Sequence, residues 1–219
     1  HKAAHIFDLL DKYVEQKILI ICHSKEVVLR LQKLILEHRN IKLAVFHSSQ
    51  SLMERDRQAA YFAEQDGAQI LISTEIGSEG RNFEFASHLF LFDLPKVPDQ
   101  LEQRIGRLDR IGQLNNINIH VPYIVSTFEE TMYRWYHEVL NSFQSSPKGA
   151  GHFYNENKNE LIALLERQFD ETKLNLFINS RIQSYQDFCR VIEQGRDLIV
   201  EAHSYNDTKA KELCRDILN

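Results

Sequence analysis

Short apolar runs alternate with amphipathic segments between Ile18 and Val125, and this alternation constrains the fold more than any other feature of the sequence. Ile18–Cys22 is continuously apolar and mostly β-branched, which is typical of a strand buried on both faces. Strands separated by helices predict a parallel α/β sheet with helices on both faces. The other predicted strands are Leu43–Phe46 and residues 69–73, 89–93 and 118–123.

Capping signals mark the helices between these strands. Ser24 has the residue type and position of a helix N-cap. Ser51 and Glu54 have the spacing of a capping box, in which each side chain binds the backbone N–H of the other residue. Pro98 suits the first turn of a further helix, and Thr127 begins a second capping box. We therefore expect helices to begin at these four places.

The pattern changes near Ser145. Residues 145–151 have the composition of a loop, and no strand pattern follows them. Apolar stripes at helical spacing predict two or three helices in the remaining sequence. We expect an α/β domain over residues 1–144, a linker over residues 145–151 and an all-helical segment over residues 152–219.

Charge and cysteine content exclude several classes of protein. The net charge is -5, so any contact with nucleic acid must be local rather than spread over a basic surface. The three cysteines have no Cys-x-x-Cys spacing, which argues against a disulfide framework or a zinc site. No signal peptide or long apolar run is present, and we expect a cytoplasmic protein without a membrane partner. Because the chain begins at His1 rather than methionine, we expect it to be part of a longer protein.

The most specific segment covers residues 103–113, Gln-Arg-Ile-Gly-Arg-Leu-Asp-Arg-Ile-Gly-Gln. Arg104, Arg107 and Arg110 stand three residues apart at the end of the Pro98 helix, so their guanidinium groups can converge. Such a cluster usually faces an anion, and the planar guanidinium matches phosphate oxygens. The alternative is surface ion pairing with the neighbouring acidic residues Asp99, Glu102 and Asp109.

A second segment joins a buried strand to a glycine-bearing turn. Ser73 and Thr74 end the strand, and hydroxyl groups at the carboxyl end of a parallel strand are natural phosphate contacts. Gly77 and Gly80 let the backbone bend tightly and approach a ligand closely. The alternative is a purely structural turn.

Polar loops follow the first two strands on the same predicted sheet edge. His23 and Ser24 follow one strand, and His47 and Ser48 follow the other. Metal binding by the two histidines is the alternative to hydrogen bonding. No third ligand stands at a suggestive spacing, so we favour hydrogen bonding and expect no metal site in this chain.

These motifs resemble those of a known family. Gln-x-x-Gly-Arg-x-x-Arg-x-Gly is similar to the last conserved motif of superfamily 2 helicases, and the ending Arg110-Ile-Gly-Gln113 resembles the Swi/Snf branch. Ser73-Thr74, followed by Gly80 and Asn82, resembles another motif of the same lobe. Nearly all of residues 1–144 resembles bacterial RNA polymerase-associated Swi/Snf-type ATPases.

The resemblance implies a RecA-like second motor lobe followed by helices. It implies an ATP-dependent translocase on double-stranded DNA that remodels or recycles RNA polymerase and so regulates or activates transcription. ATP and Mg²⁺ would lie between this lobe and an N-terminal first lobe, which would supply most of the Mg²⁺ ligands. The implied roles are catalysis by Arg107 and Arg110, nucleotide contact by Gly80, Asn82, Gln103 and Arg104, and nucleic-acid contact by Ser24, His47, Ser48, Ser73 and Thr74.

Two features separate this interpretation from its alternatives. The sequence contains no Gly-x-x-x-x-Gly-Lys-Ser/Thr loop and no credible Asp-Glu pair for Mg²⁺, so we expect the chain alone to be inactive. Arg110-Ile-Gly-Gln113 argues against an RNA helicase lobe, and the lack of Gly-x-Gly-x-x-Gly argues against a dinucleotide-binding domain. A non-catalytic docking module for RNA polymerase remains an alternative, with Phe177 and Tyr185 exposed, although core packing of both rings is favoured.

Overall fold

The computed structural model describes residues 2–75, 83–109, 116–166 and 168–204, with side chains described to residue 194. Its helices and strands, in chain order, are α1 (Lys2–Lys12), β1 (Ile18–Cys22), α2 (Lys25–His38), β2 (Leu43–Phe46), α3 (Leu52–Ala63), β3 (Ile70–Thr74), β4 (His88–Leu91), α4 (Pro98–Ile105), β5 (Asn118–His120), α5 (Phe128–Arg134), a π-helix (Trp135–Val139), α6 (Ala150–Glu166) and α7 (Glu171–Ser204).

The described strands form one five-stranded sheet in the order β2-β3-β1-β4-β5, and every neighbouring pair is parallel. Strands β1, β3 and β4 are buried throughout their length, because helices cover both faces. This arrangement confirms the predicted fold class, a RecA-like parallel sheet flanked by helices and followed by helices.

Alternate residues of the strands pack into two separate hydrophobic cores. Leu19 and Ile21 face a core built with α3, α4, α5, the π-helix, α6 and α7. Ile18 and Ile20 face a second core built with α1 and α2. The period of two along a strand sends successive side chains to opposite faces, so one apolar run serves both layers.

The caps explain where the helices begin. Ser24 Oγ accepts the Val27 N–H at 3.4 Å, and Ser51 and Glu54 form the predicted capping box. The second box differs from the prediction. Thr127 Oγ1 accepts the Glu129 N–H, but the carboxylate of the third helical residue accepts the N–H of Ser126 instead of that of Thr127. The predicted box is therefore replaced by two separate caps.

The helical segment packs on the same core as the sheet. Trp135 stacks between Phe153 of α6 and Phe177 of α7, with ring centroids 5.9 and 5.8 Å away. Phe177 and Tyr185 are 8% and 7% exposed. Their core packing is confirmed, and the hypothesis that these two rings form an exposed docking surface is wrong. Among the described helices, none is both long and apolar enough to cross a membrane.

Candidate nucleotide and nucleic-acid site

The carboxyl ends of the strands lie level along one edge of the sheet. In the ladder, Cys22 pairs with Thr74 and Phe46 pairs with Ser73, while β4 ends within one residue of the same level. The loops that follow β1, β2, β3 and β4 therefore meet at this edge. In open α/β sheets this edge is where ligands bind.

Two helices point their N-termini at the edge. The Lys25 ammonium donates to Ser49 Oγ at 2.7 Å and so joins the loop after β1 to the loop after β2. Ser24 caps α2, and the exposed Ser48 lies in the turn that leads to α3. The unpaired N–H groups of a helix N-terminus favour an anion such as phosphate. Ser24 and Ser48 lie at or near these N-termini, and their contact with a phosphate stays a prediction.

His47 contributes hydrogen-bonding groups rather than charge. Its backbone N–H donates to Gln50 Oε1 at 3.0 Å. Burial and the nearby Lys25 ammonium lower the pKa of the imidazole, so the ring is neutral at pH 7. Its Nδ1 is buried and has no hydrogen-bond partner among the described residues.

Ser73 and Thr74 are the last two residues of β3 and lie below the surface of the edge, 0% and 6% exposed. The Ser73 hydroxyl donates to the Thr74 carbonyl at 2.7 Å. Strand β3 lies between β1 and β2 in the sheet, so the chain leaves these two residues at the middle of the loop-bearing edge.

Arg104 is the buried centre of an ion-pair network whose other members are partly exposed. Its side chain is 3% exposed, and its Nε and Nη2 donate to Glu75 Oε1 at 2.8 and 2.5 Å. Both Nη atoms also contact Asp93 Oδ1, at 3.3 and 3.2 Å, and Nη1 donates to the Asp93 carbonyl. The other Asp93 oxygen accepts the His23 N–H at 2.8 Å and lies 2.9 Å from His23 Nδ1.

The observed network differs from both interpretations of the arginine cluster that the sequence allowed. Arg104 is paired, as the alternative interpretation expected, but its partners are distant in sequence rather than neighbouring, and their side chains are partly buried, 36% and 21% exposed. Sequence reasoning missed Glu75 and Asp93. The signal that points to them is their position, each directly or closely after a buried strand.

Arg107 follows the end of α4. Its side chain is partly buried, and its carbonyl accepts the Phe83 N–H at 3.0 Å. Gln103 is exposed on α4. Gly80, Asn82 and Arg110 lie outside the described residues, as does Gly77. The roles predicted for these residues and for Arg107 stay predictions.

A cavity of about 640 Å³ opens beside the Arg104 network. Lys2 closes part of it, because its ammonium donates to the Phe92 carbonyl at 2.8 Å and pairs with Glu129 at 2.6 Å. The remaining wall is largely apolar. It includes Phe92, Leu94, Pro95, Pro122, Tyr123, Phe128 and Met132.

Comparisons with known proteins agree with this arrangement. Residues 1–112 match the model of the helicase conserved C-terminal domain family, and residues 116–219 match that of the RNA polymerase recycling family C-terminal segment. The RNA polymerase-associated protein RapA of Serratia proteamaculans (strain 568) is 46% identical over 205 residues. The match covers 93% of this chain and 21% of the relative, so the chain spans about a fifth of that protein's length.

Two solved structures share the fold. The C-terminal part of the Fun30 ATPase domain has a TM-score of 0.54 and 23% identity, with 61% of this chain and 44% of that chain covered. The Sulfolobus solfataricus SWI2/SNF2 ATPase core in complex with dsDNA also has a TM-score of 0.54 and 23% identity, with 75% and 35% covered. Because a family model spans residues 1–112 and the sheet matches these neighbours, the chain belongs to the helicase conserved C-terminal domain family, and its later residues resemble the C-terminal segment of RNA polymerase recycling proteins.

Proposed function

We propose that this chain is the second motor lobe of an ATP-dependent translocase on double-stranded DNA that remodels or recycles RNA polymerase. The observation that carries the proposal is the level carboxyl edge of the sheet, where two capped helix N-termini, Ser73-Thr74 and the end of α4 come together. The similarity to RapA, an RNA polymerase-associated protein, supports the polymerase partner.

ATP would bind between this edge and a first lobe. We propose that Arg107 and Arg110 stabilise the charge that develops on the transferring phosphoryl group. Gly80, Asn82 and Gln103 would contact the nucleotide. The carboxylates of Glu75 and Asp93 already bind Arg104, so the chain fits a nucleotide whose Mg²⁺ ligands come mainly from the first lobe.

Duplex DNA would lie along the loops after β1, β2 and β3. We propose backbone contacts from Ser24, His47, Ser48, Ser73 and Thr74. Helix N-termini, hydroxyl groups and amides bind phosphates without reading the sequence. A neutral His47 fits that role, because it can donate one hydrogen bond without adding charge.

The domain division belongs to the same proposal. The proposed division is a motor lobe over residues 1–144, a linker over residues 145–151 and a helical segment over residues 152–219, and α6 begins two residues earlier than this division expects, at Ala150. The shared core around Trp135 would make the helical segment move together with the lobe rather than independently of it.

The test uses the full-length protein. We expect double-stranded DNA to stimulate ATP hydrolysis and ATP-driven displacement of a third strand from a DNA triplex, which reports translocation without strand separation. We also expect the protein to raise the yield of multi-round transcription by RNA polymerase. Stimulation by RNA in place of duplex DNA would favour an RNA helicase, and polymerase binding without any ATP hydrolysis would favour a docking module.

A further inference from the structure

We infer that Arg104 is a positioning residue that ties the loops after β1, β3 and β4 to α4 and so couples DNA binding to ATP hydrolysis. The inference rests on the proposed motor function. It replaces the direct nucleotide contact that the family resemblance implied for Arg104, because the guanidinium is 3% exposed and already bound by Glu75 and Asp93.

The guanidinium of Arg104 is buried and already bound. Arg104 is 3% exposed, and its Nε and both Nη atoms are engaged by Glu75 and Asp93. A nucleotide contact would have to break several of these bonds in a partly desolvated place, where each charge-assisted hydrogen bond is strong. Two carboxylates also leave the cluster with enough negative charge to balance the guanidinium without a phosphate.

Glu75 and Phe83, the residues on either side of residues 76–82, both bind residues at the end of α4. Glu75 binds the Arg104 side chain at 2.5 Å. Phe83 donates its N–H to the Arg107 carbonyl at 3.0 Å. Because Arg104 and Arg107 are three residues apart, a movement of the end of α4 would act on both Glu75 and Phe83.

The network extends to the nucleic-acid side of the edge. Asp93 binds Arg104 through one oxygen and binds His23 through the other. His23 directly precedes Ser24, and Glu75 directly follows Thr74. Ser24 and Thr74, two of the proposed DNA contacts, are therefore each adjacent in sequence to a residue of the network. Arg104 positions Glu75 directly and His23 through Asp93.

The experiment compares Arg104→Gln and Glu75→Gln in the full-length protein. If Arg104 acts by positioning, both variants lower the DNA-stimulated kcat by at least about tenfold and leave the Kd for ATP within about twofold. The double variant then loses little more than either single variant, because both changes break one pair. A direct contact between Arg104 and a phosphate predicts that the loss falls on ATP affinity instead of on kcat alone. Arg104→Gln alone would weaken ATP binding by roughly 10- to 150-fold, the equivalent of one charged hydrogen bond.

Glu138→Gln is the matched control. It breaks another Arg–Glu pair, between Arg134 and Glu138 at 2.6 Å, far along the chain from the network. We expect its DNA-stimulated kcat to stay within about twofold of wild type. Glu75→Gln leaves Arg104 with Asp93 as a charged partner, so it keeps the test valid if Arg104→Gln fails to fold.

The outcomes separate the two claims. Full DNA-stimulated turnover in Glu75→Gln, with the wild type active, would overturn the positioning role and leave the motor function standing. Weakened ATP binding in Arg104→Gln but not in Glu75→Gln would do the same. A wild-type protein without any DNA-stimulated hydrolysis would overturn the proposed function itself and with it the coupling role.

Discussion

Arg107 follows the end of α4, and we propose that its side chain acts on a phosphate of a nucleotide held by another lobe. We expect Arg107→Ala in the full-length protein to lower the DNA-stimulated kcat by about 10³- to 10⁵-fold, the usual effect of an arginine finger. The loss should fall on kcat more than on ATP affinity, because the charge is largest in the transition state. The measurement is steady-state hydrolysis at saturating DNA and ATP.

Two further variants sharpen this prediction. Arg107→Lys should recover little activity, because an ammonium keeps the charge but loses the planar fork. Arg110→Ala should resemble Arg107→Ala. A surface ion pair is worth about 0–1 kcal/mol and affects stability alone. Near-wild-type kcat in both alanine variants would therefore show that neither arginine is a finger.

A histidine pair makes the stability of the chain depend on pH. His88 Nε2 lies 2.5 Å from Gln16 Oε1, an acceptor, so His88 Nδ1 accepts from His120 Nε2 at 2.9 Å. Burial and the neighbouring His88 lower the pKa of His120 to about 4, and burial also lowers the pKa of His88. The folded state thus binds these protons less readily than the unfolded state, in which a histidine has a pKa of about 6.5.

The sign follows from that difference. The stabilisation that depends on the neutral His88–His120 pair is complete above pH 6.5 and decreases as the pH falls from there towards 4. The thermal midpoint of unfolding should therefore drop across this range. His120→Gln should make the drop shallower, since one of the two titrating groups is gone. His5→Gln, at an exposed position, is the control and should follow the wild-type curve. Parallel curves for His120→Gln and wild type would contradict the assignment.

The contacts of single residues show what a sequence can and cannot predict. Ser24 and Ser51 cap their helices as predicted, because capping depends on residues within a few positions of each other. The partners of Arg104 are 29 and 11 residues away, and only the sheet order brings them together. Side-chain partners set by strand order are therefore the part of the candidate site that local patterns miss.

At the scale of elements, the π-helix Trp135–Val139 provides the stacked-ring contacts between the sheet domain and the helical tail. Trp135 is fully buried, so we expect Trp135→Ala to lower the free energy of unfolding by about 3–5 kcal/mol through the cavity it leaves. Its Nε1 has no hydrogen-bond partner among the described residues, so Trp135→Phe should cost clearly less than Trp135→Ala. Chemical denaturation of the chain measures both.

Leu176 provides the comparison on the same tail. It is 67% exposed on α7, and Leu176→Ala should change the free energy of unfolding by no more than about 0.5 kcal/mol. A Trp135→Ala variant as stable as Leu176→Ala would show that the tail does not depend on the stacked rings.

The elements also differ in how well their sequences predict them. Strands β1 and β2 have the predicted limits, because their apolar runs are short and sharply bounded. Helix α1 was not predicted, although Ile6 and Leu10 have helical spacing and are buried. Strand β5 is shorter than the predicted residues 118–123, because its ladder with β4 ends at His120. Pairing partners, rather than propensity, decide where an edge strand stops.

At the scale of the whole molecule, the described residues combine two cores around a single sheet, and the helical tail belongs to one of them. The edge that carries the candidate site is built by the strand ends, the loops after them, the N-termini of α2 and α3 and the end of α4. Among the described residues, the tail packs against α4, α5 and the π-helix, and α4 connects it to this edge.

The chain by itself should hydrolyse no ATP above background, with or without DNA. Its sequence has no phosphate-binding Gly-x-x-x-x-Gly-Lys-Ser/Thr loop, and at the described edge the carboxylates Glu75 and Asp93 are bound to Arg104. Arginines that complete a site have no effect until the phosphates and Mg²⁺ are held in place. Release of phosphate by the purified chain is the measurement, and the full-length protein is the positive control. Turnover that persists in the chain after purification to homogeneity, and that Arg107→Ala removes, would show that this lobe holds a complete site and would contradict the two-lobe proposal.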